Sequence, residues 1–516
     1  MSGDTPSHVG SLSPDGKWRW DGESWQPTLA ISVDRPAPSW LSLQLKTPAT
    51  WLTLGGALVA GLVADQWLRV GTFGVAASLS IAVAALALSF AGRLLTVESR
   101  VAASAAVVFA AWFTVRASPW LLWPDLAMSF ILLGLAASLS SRGSLLDIGI
   151  AEAAARWIHA LIHAAGGAAF ATQPLVRIRM RLGLAAPLLR GLLIAAPIAI
   201  LLAGLLAAAD PVFASFFNLN LDLGQLVLDV TYVAAGSLVA AGLLRLAAAE
   251  PLSRVDGPTW RLGSIEGLVV LAVLDATFAA FAVAQAVAAT GAAGDTLRSA
   301  GVTYADYARS GFFQLLWVAG ITAVVLILFS RITGLTERTT RRAFEVLAQI
   351  AIVLTLLIVA VAFQRLSLYE DAYGFTMLRL YSHLFAVWIA VVFVLLAADM
   401  AGLFRRRRWF VGATSISAMA VLLALNLVNP EAIVVALNVD HARNTHKIDA
   451  QYFAELSSDA TPALLADRAQ LDASAARDVG RVACAGPHTY SAAPAAFNLS
   501  DAAAATARRA SCRQTD

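Results

Sequence analysis

Charge is scarce in this chain. Asp, Glu, Lys and Arg make up 14% of its 516 residues, where a soluble globular chain carries about 25%. That scarcity excludes a water-soluble enzyme and a disordered protein as readings of the whole chain. Cysteine is scarcer still, at two residues, which excludes a disulfide-dense secreted module. Neither sign of charge dominates, since 37 Lys and Arg stand against 34 Asp and Glu. A nucleic-acid binder needs a concentrated basic face, so nucleic acid is not an expected partner. Several chemical signatures are missing too. There is no Gly-x-x-x-x-Gly-Lys-Ser/Thr loop, no Gly-x-Ser-x-Gly elbow and no Gly-x-Gly-x-x-Gly fingerprint. ATP-driven pumping within this chain, serine-hydrolase chemistry and dinucleotide redox chemistry lose most of their support. No cofactor is implied and the balance leans away from an enzyme.

What the chain has instead is apolar sequence: 59% of residues are hydrophobic and the mean hydropathy is +0.70. The excess comes in blocks of bilayer-spanning length. About eleven candidate spans fall near 49–67, 71–91, 101–117, 120–139, 191–209, 226–248, 265–289, 312–330, 344–363, 381–402 and 410–428. In lipid each must satisfy its own backbone polar groups, so each is read as a helix. Ala and Gly run through nearly all of them, which permits close helix approach. The expected fold is therefore all-α: a polytopic transmembrane bundle with a small helical extracytoplasmic C-terminal domain. Its parts are a tail at 1–46, the bundle at 47–428 with an amphipathic loop at 140–190, and a helical tail at 429–516.

Basic residues set the expected threading. With the N-terminus in the cytoplasm, inner segments hold 23 Lys and Arg and outer loops hold 6. The expected location is the cell (inner) membrane, with the lipid bilayer as first partner and the C-terminus outside. No cleavable leader is visible, so the first apolar block is expected to act as an uncleaved signal-anchor. Cys484 and Cys512 both lie in the tail, where an oxidising compartment would let them pair.

Several segments carry candidate chemistry. At 13–27, two Asp-Gly turn dipeptides and alternating Trp18 and Trp20 predict a small Trp-rich hairpin. It is similar to the short Trp-Asp-Gly-x-x-Trp modules at the ends of actinobacterial membrane proteins, and could meet a cytoplasmic partner or a lipid surface. In the inner loop, Glu152, Arg156, His159 and His163 form one helical stripe, read as a solvated polar face of an interfacial helix. The Arg177–Arg181 run is read as a contact for anionic lipid. Within the spans, Asp229, Asp275 and Asp399 are the acids noted, and Asp275 is nearest mid-span. An acid in lipid is a functional candidate by default. Asp440, His441, His446 and Asp449 lack a specific metal-ligand spacing, so no metal site is assigned.

Two exterior loops are the richest. Tyr304, Asp306, Tyr307 and Arg309 precede span eight, and Tyr369, Glu370, Asp371, Tyr373, Gly374, Thr376, Arg379 and His383 precede span ten. Gly374 should break the chain and Thr376 should cap the next helix. That leaves Arg379 in a first turn, where the macrodipole disfavours a cation, so a carboxylate partner at Glu370 or Asp371 is expected. The set reads as a polar mouth for an anionic or zwitterionic small ligand. Tyr-Ala-Arg-Ser-Gly-Phe-Phe-Gln-Leu at 307–315 and Leu-Tyr-Glu-Asp-Ala-Tyr-Gly-Phe-Thr-Met-Leu-Arg-Leu-Tyr at 368–381 resemble the uncharacterised bacterial membrane proteins of the domain-of-unknown-function 4153/4173 group. Phe375 stands where that group usually has leucine. The resemblance covers roughly residues 190–465, singles out Arg309, Tyr373, Gly374, Thr376 and Arg379, and implies no reaction. Three functions fit: translocation of an ion or small solute, a non-enzymatic sensor or assembly scaffold, and an enzyme acting on a lipid-linked substrate. In the last, Glu370 or Asp371 would serve as base and Arg309 or Arg379 would hold a phosphate.

Overall fold

The computed structural model describes residues 11, 18–20, 23–27, 42–141, 143–181, 223–252, 255, 260–289, 311–403 and 408–512, with isolated positions between 191 and 213. It divides into two units at Ser42 and Leu43. In the first, β1 (Trp18–Trp20) pairs antiparallel with β2 (Trp25–Pro27), Trp20 opposite Trp25. Their indole rings lie 5.4 Å apart, and the Trp20 N–H donates to the Ser11 carbonyl.

The second unit is helical. Its spanning helices are α1 (Trp51–Val70), α2 (Val75–Ala91), α3 (Val97–Val115) and α4 (Pro119–Ser138). After α5 (Ile150–Ala165), α6 (Gly167–Ala171) and α7 (Gln173–Arg181) come α8 (Leu223–Ala248) and α9 (Ser264–Ala289). α10 (Phe312–Ile332), α11 (Arg338–Tyr373), α12 (Met377–Met400) and α13 (Phe410–Val428) complete the bundle. Nine described helices are long and apolar enough to cross a membrane, and α2 is a shorter apolar helix. The expected span at 191–209 is described only in part, at 191, 195, 198–199, 202–206 and 209, all helical. α7 and the start of α8 meet opposite ends of α1. Gln173 and Arg177 of α7 bond Ala49 beside the start of α1, whereas Asp229 near the start of α8 meets Arg69 near the end of α1.

Local chemistry explains the boundaries. Thr50 and Thr53 form a reciprocal cap at α1, and left-handed Gly71 ends it. Thr96 caps α3, and Pro119 occupies the first position of α4. One boundary departs from expectation. Residues 365–373 are not a loop but the last turns of α11, which runs for 36 residues. No breaker interrupts that stretch before Gly374, so the helix persists through it.

The bundle has two cores. The first joins α1–α4, α6 and the end of α8, and the second joins α9–α12. α13 links them, with Leu422 in the first core and Phe410 in the second. Small residues allow the tightest crossing, α1 on α8. A Cβ on Gly61 would overlap the Ser237 hydroxyl and the Val233 carbonyl, and one on Gly236 would overlap Ala64.

A cap closes one end of the bundle. α14 (Pro430–Thr445), α15 (Thr461–Asp467), α16 (Ala473–Cys484) and α17 (Leu499–Ser511) pack with Phe453 around a third small core. Asn429 both ends α13 in a left-handed conformation and caps α14, with Pro430 next, as expected. Asn498 caps α17 by accepting the Ser500 and Asp501 N–H groups. Cys484 and Cys512 form the expected disulfide, joining the ends of α16 and α17.

The Gly61 crossing predicts a contrast. Gly61→Val should overpack the α1–α8 contact and lower stability by about 1–3 kcal/mol. Gly55→Val, at an exposed position with open space beside it, should leave the thermal unfolding midpoint in detergent unchanged.

Candidate functional site

The turn between α11 and α12 is built and clamped by the cap. Gly374 has a φ of +75°, and its N–H donates to the Glu370 carbonyl. Thr376 caps α12 by accepting the Arg379 N–H, as its position predicts. Asn438 of α14 accepts the Phe375 N–H at 2.9 Å and donates to the Phe375 carbonyl at 2.8 Å. The Met377 N–H donates to the Tyr452 hydroxyl at 2.7 Å.

Arg379 finds a different partner from the expected carboxylate. Its guanidinium donates to the Gly374 and Tyr373 carbonyls and lies 4.3 Å from the centre of the Tyr369 ring. Tyr373 stacks beyond it, 4.8 Å from Tyr369. The free carbonyls ending α11 carry the negative pole of that helix, so they supply what a carboxylate would. Glu370 is turned inward, 4% exposed, and meets His383 Nδ1 at 3.2 Å. His383 Nε2 lies 3.1 Å from the Ser367 hydroxyl, and its ring packs on Phe363. Asp371 stays at the surface. Tyr304, Asp306, Tyr307 and Arg309 lie outside the described residues. Arg365 donates to Gln285 of α9 at 3.2 Å and lies beside Gly311, gathering α9, α10 and α11 at this end.

Further along α9, Leu271, Asp275 and Phe278 share its buried face, which packs on α11. Neither carboxylate oxygen of Asp275 has a hydrogen-bond partner among the described residues. The other noted acids have company. Asp229 pairs with Arg69, which also bonds Asp65 at 2.7 Å. Asp399 lines a cavity at the end of α12 away from the cap.

Sequence reading passed over Asp65 and Asp125, both inside expected spans. Asp125 is fully buried and accepts from Asn426 of α13 at 2.9 Å. Its signal was present, as the one charged residue of α4. Above it, Asp459 accepts the Ala117 and Ser118 N–H groups, and Asn498 donates to the Phe113 and Arg116 carbonyls. Glu431, 1% exposed, accepts from the Ser457 N–H and hydroxyl. Burial pushes its carboxyl above the usual range, with Asp459 adding to the rise while Ser118 and Ser457 oppose it.

The α5 stripe corrects a second expectation. Glu152, Arg156, His159 and His163 are buried, not solvated. Arg156 bonds Glu152 at 2.8 Å and the Ser138 carbonyl and hydroxyl of α4. Arg245 of α8 donates to the Ile162 and His163 carbonyls, placing a cation at the C-terminal end of α5. The apolar face, Trp157, Ile158 and Leu161, is 57%, 42% and 65% exposed and points away from the bundle. Where the outward solvent is lipid, the polar stripe packs better inward against partners. Elsewhere, His446 pairs with Asp472, and Asp449 accepts two backbone N–H groups. Among the described residues no three His, Cys, Asp or Glu side chains gather as a metal site.

A family model described as a domain of unknown function (DUF4153) matches residues 103–466, reaching from α3 into α15. It thus extends upstream of the stretch carrying the resemblance, and begins after the hairpin. No curated protein and no solved structure matches the chain.

The α5 stripe has a pH signature. Burial, then His163 and Arg156, lowers the His159 pKa from 6.5 to about 4. A histidine that is harder to protonate when folded contributes stability present above its unfolded pKa and lost as pH falls toward its folded one. The thermal midpoint should therefore drop from pH 6.5 to 4, and His159→Asn should flatten that slope.

Proposed function

We propose, from the premise that this chain belongs to the DUF4153 family and is an integral multi-pass membrane protein, that it moves an ion or small solute through the α9–α12 half of the bundle. One observation carries the reading: Asp275 sits buried on a spanning helix with both oxygens unpartnered among the described residues. A bare carboxylate in low dielectric costs several kcal/mol, so a proton or a small cation has a physical reason to bind there. Gln285 and Arg365 lie on the same two helices toward the cap end. They supply a polar course between Asp275 and a mouth for an anionic or zwitterionic ligand. In this reading the cap lies outside the inner membrane and the N-terminal hairpin meets a cytoplasmic partner. The excess of arginine at the end away from the cap supports that orientation.

The scaffold reading has its own support in the cap, which bonds the turns of three helix pairs through the Asp459, Asn498 and Asn438 side chains and the Phe497 carbonyl. Such a cap can transmit contact with an exterior partner to the spans. The enzyme reading draws less support, because Glu370 is paired with His383 and Arg379 is engaged by carbonyls.

Reconstituted into proteoliposomes, the full chain should dissipate an imposed proton or sodium gradient. Asp275→Asn should cut that flux at least tenfold, whereas Asp478→Asn on the exposed cap surface should not. Absence of flux, or flux indifferent to Asp275, rejects translocation. For the hairpin, deleting residues 1–46 should release any cytoplasmic partner recovered with the full chain by crosslinking, and leave flux intact.

A further inference from the structure

The end of the second bundle away from the cap carries a basic cavity of about 740 Å³. Arg261, Arg331, Arg341 and Arg408 line it against two acids, Glu345 and Asp399. Arg261 and Arg341 each donate to a carbonyl, of Arg331 and Leu335 respectively, and the Arg331 charge acts on the Asp399 carboxylate. The Thr333 hydroxyl, on a residue 4% exposed that lines the same cavity, has no hydrogen-bond partner among the described residues. Three guanidinium groups and a buried hydroxyl provide many donors for an oxyanion and few acceptors.

A second cavity adjoins the first. It is a groove of about 650 Å³ along α11, lined by Val346, Ile350, Val353 and Leu354. Glu345 belongs to both cavities, and Ala401 at the groove precedes Gly402 and Leu403 at the basic one. Val346, Ile350 and Val353 recur at helical spacing, are well exposed, and form a stripe descending from the charged turns. At 1.5 Å per residue, the 36 residues of α11 span about 54 Å, against roughly 30 Å of hydrocarbon. Its charged first turns therefore extend to headgroup level, while the stripe below meets acyl chains.

We infer that these two cavities together form a binding site for one anionic glycerophospholipid. Its phosphate sits among Arg261, Arg331 and Arg341, and an acyl chain lies along the Val346–Val353 stripe. The charge complementarity favours an anionic headgroup over a zwitterionic one, and the adjoining apolar groove favours a lipid over a soluble phosphate ester. The site is separate from Asp275 and does not depend on translocation.

The test uses the full chain in detergent micelles with phosphatidylglycerol, phosphatidylcholine or glycerol 3-phosphate added. Lipid retention is read by native mass spectrometry and stability by thermal unfolding. Phosphatidylglycerol should be retained and should raise the unfolding midpoint, whereas the other two should do neither. The triple variant Arg261→Gln/Arg331→Gln/Arg341→Gln should weaken retention at least fivefold. Arg93→Gln/Arg100→Gln, at the same end of the other half, should not. If the triple variant fails to insert, Ile350→Trp, which fills the groove and leaves the charge alone, should weaken retention as well. Equal retention of both lipids, or retention indifferent to both sets of changes, overturns the site. A midpoint shift from glycerol 3-phosphate equal to that from phosphatidylglycerol overturns the lipid assignment and gives the cavity to a soluble phosphate ester.

Discussion

Spanning helices leave unpaired N–H and C=O groups at each end, and those buried under another domain must find partners there. In this protein the cap supplies them. Asp459 takes the N–H groups that open α4, and Asn498 takes the carbonyls that close α3. Asn438 holds both polar groups of Phe375 between α11 and α12, and Tyr452 takes the first N–H of α12. The Phe497 carbonyl accepts from Val75 at the start of α2. A domain reading as a polar appendage in sequence thus completes the helix ends on which both halves of the bundle rely.

The same constraint explains α5. Its polar stripe would face water in a soluble protein. Here it faces α4 and α8, where Glu152, Arg156, Ser138 and Arg245 satisfy one another and the nearby carbonyls. The exposed Trp157 and Leu161 then meet the surroundings that the rest of the bundle surface meets. Amphipathic spacing identifies such a helix but not which face points inward, because that depends on what lies outside.

The polar groups of the bundle sort by whether they have company. Asp65, Asp229 and Arg69 form one set, Glu152 and Arg156 another, and Asp125 with Asn426 a third, although Asp65 and Asp125 each keep one oxygen unpartnered among the described residues. Such sets tie helices together and are adequately explained by architecture. Asp275 has neither oxygen partnered among the described residues, and Arg261 and Arg341 at the cavity of α10–α12 bond backbone carbonyls. The two functional proposals rest on that difference: one concerns a passing ion or solute, the other a resident lipid.

Residue order by itself determined the all-α class, the spans that could be described, the Asn429–Pro430 and Gly374–Thr376 boundaries, and the Cys484–Cys512 pairing. Each follows from local rules: apolar length, cap chemistry, backbone freedom and two cysteines confined to one polar segment. Membership of the family was legible in the same way, from the motifs around Arg379. Tertiary structure decided the partners. It gave Arg379 to the carbonyls of Tyr373 and Gly374, Glu370 to His383, and Asp125 to Asn426 some 301 residues away. It also buried the α5 stripe and set the Val346 groove beside the arginine cavity. These outcomes depend on which helices become neighbours, and burial and pairing of polar groups are properties of that arrangement rather than of spacing along the chain.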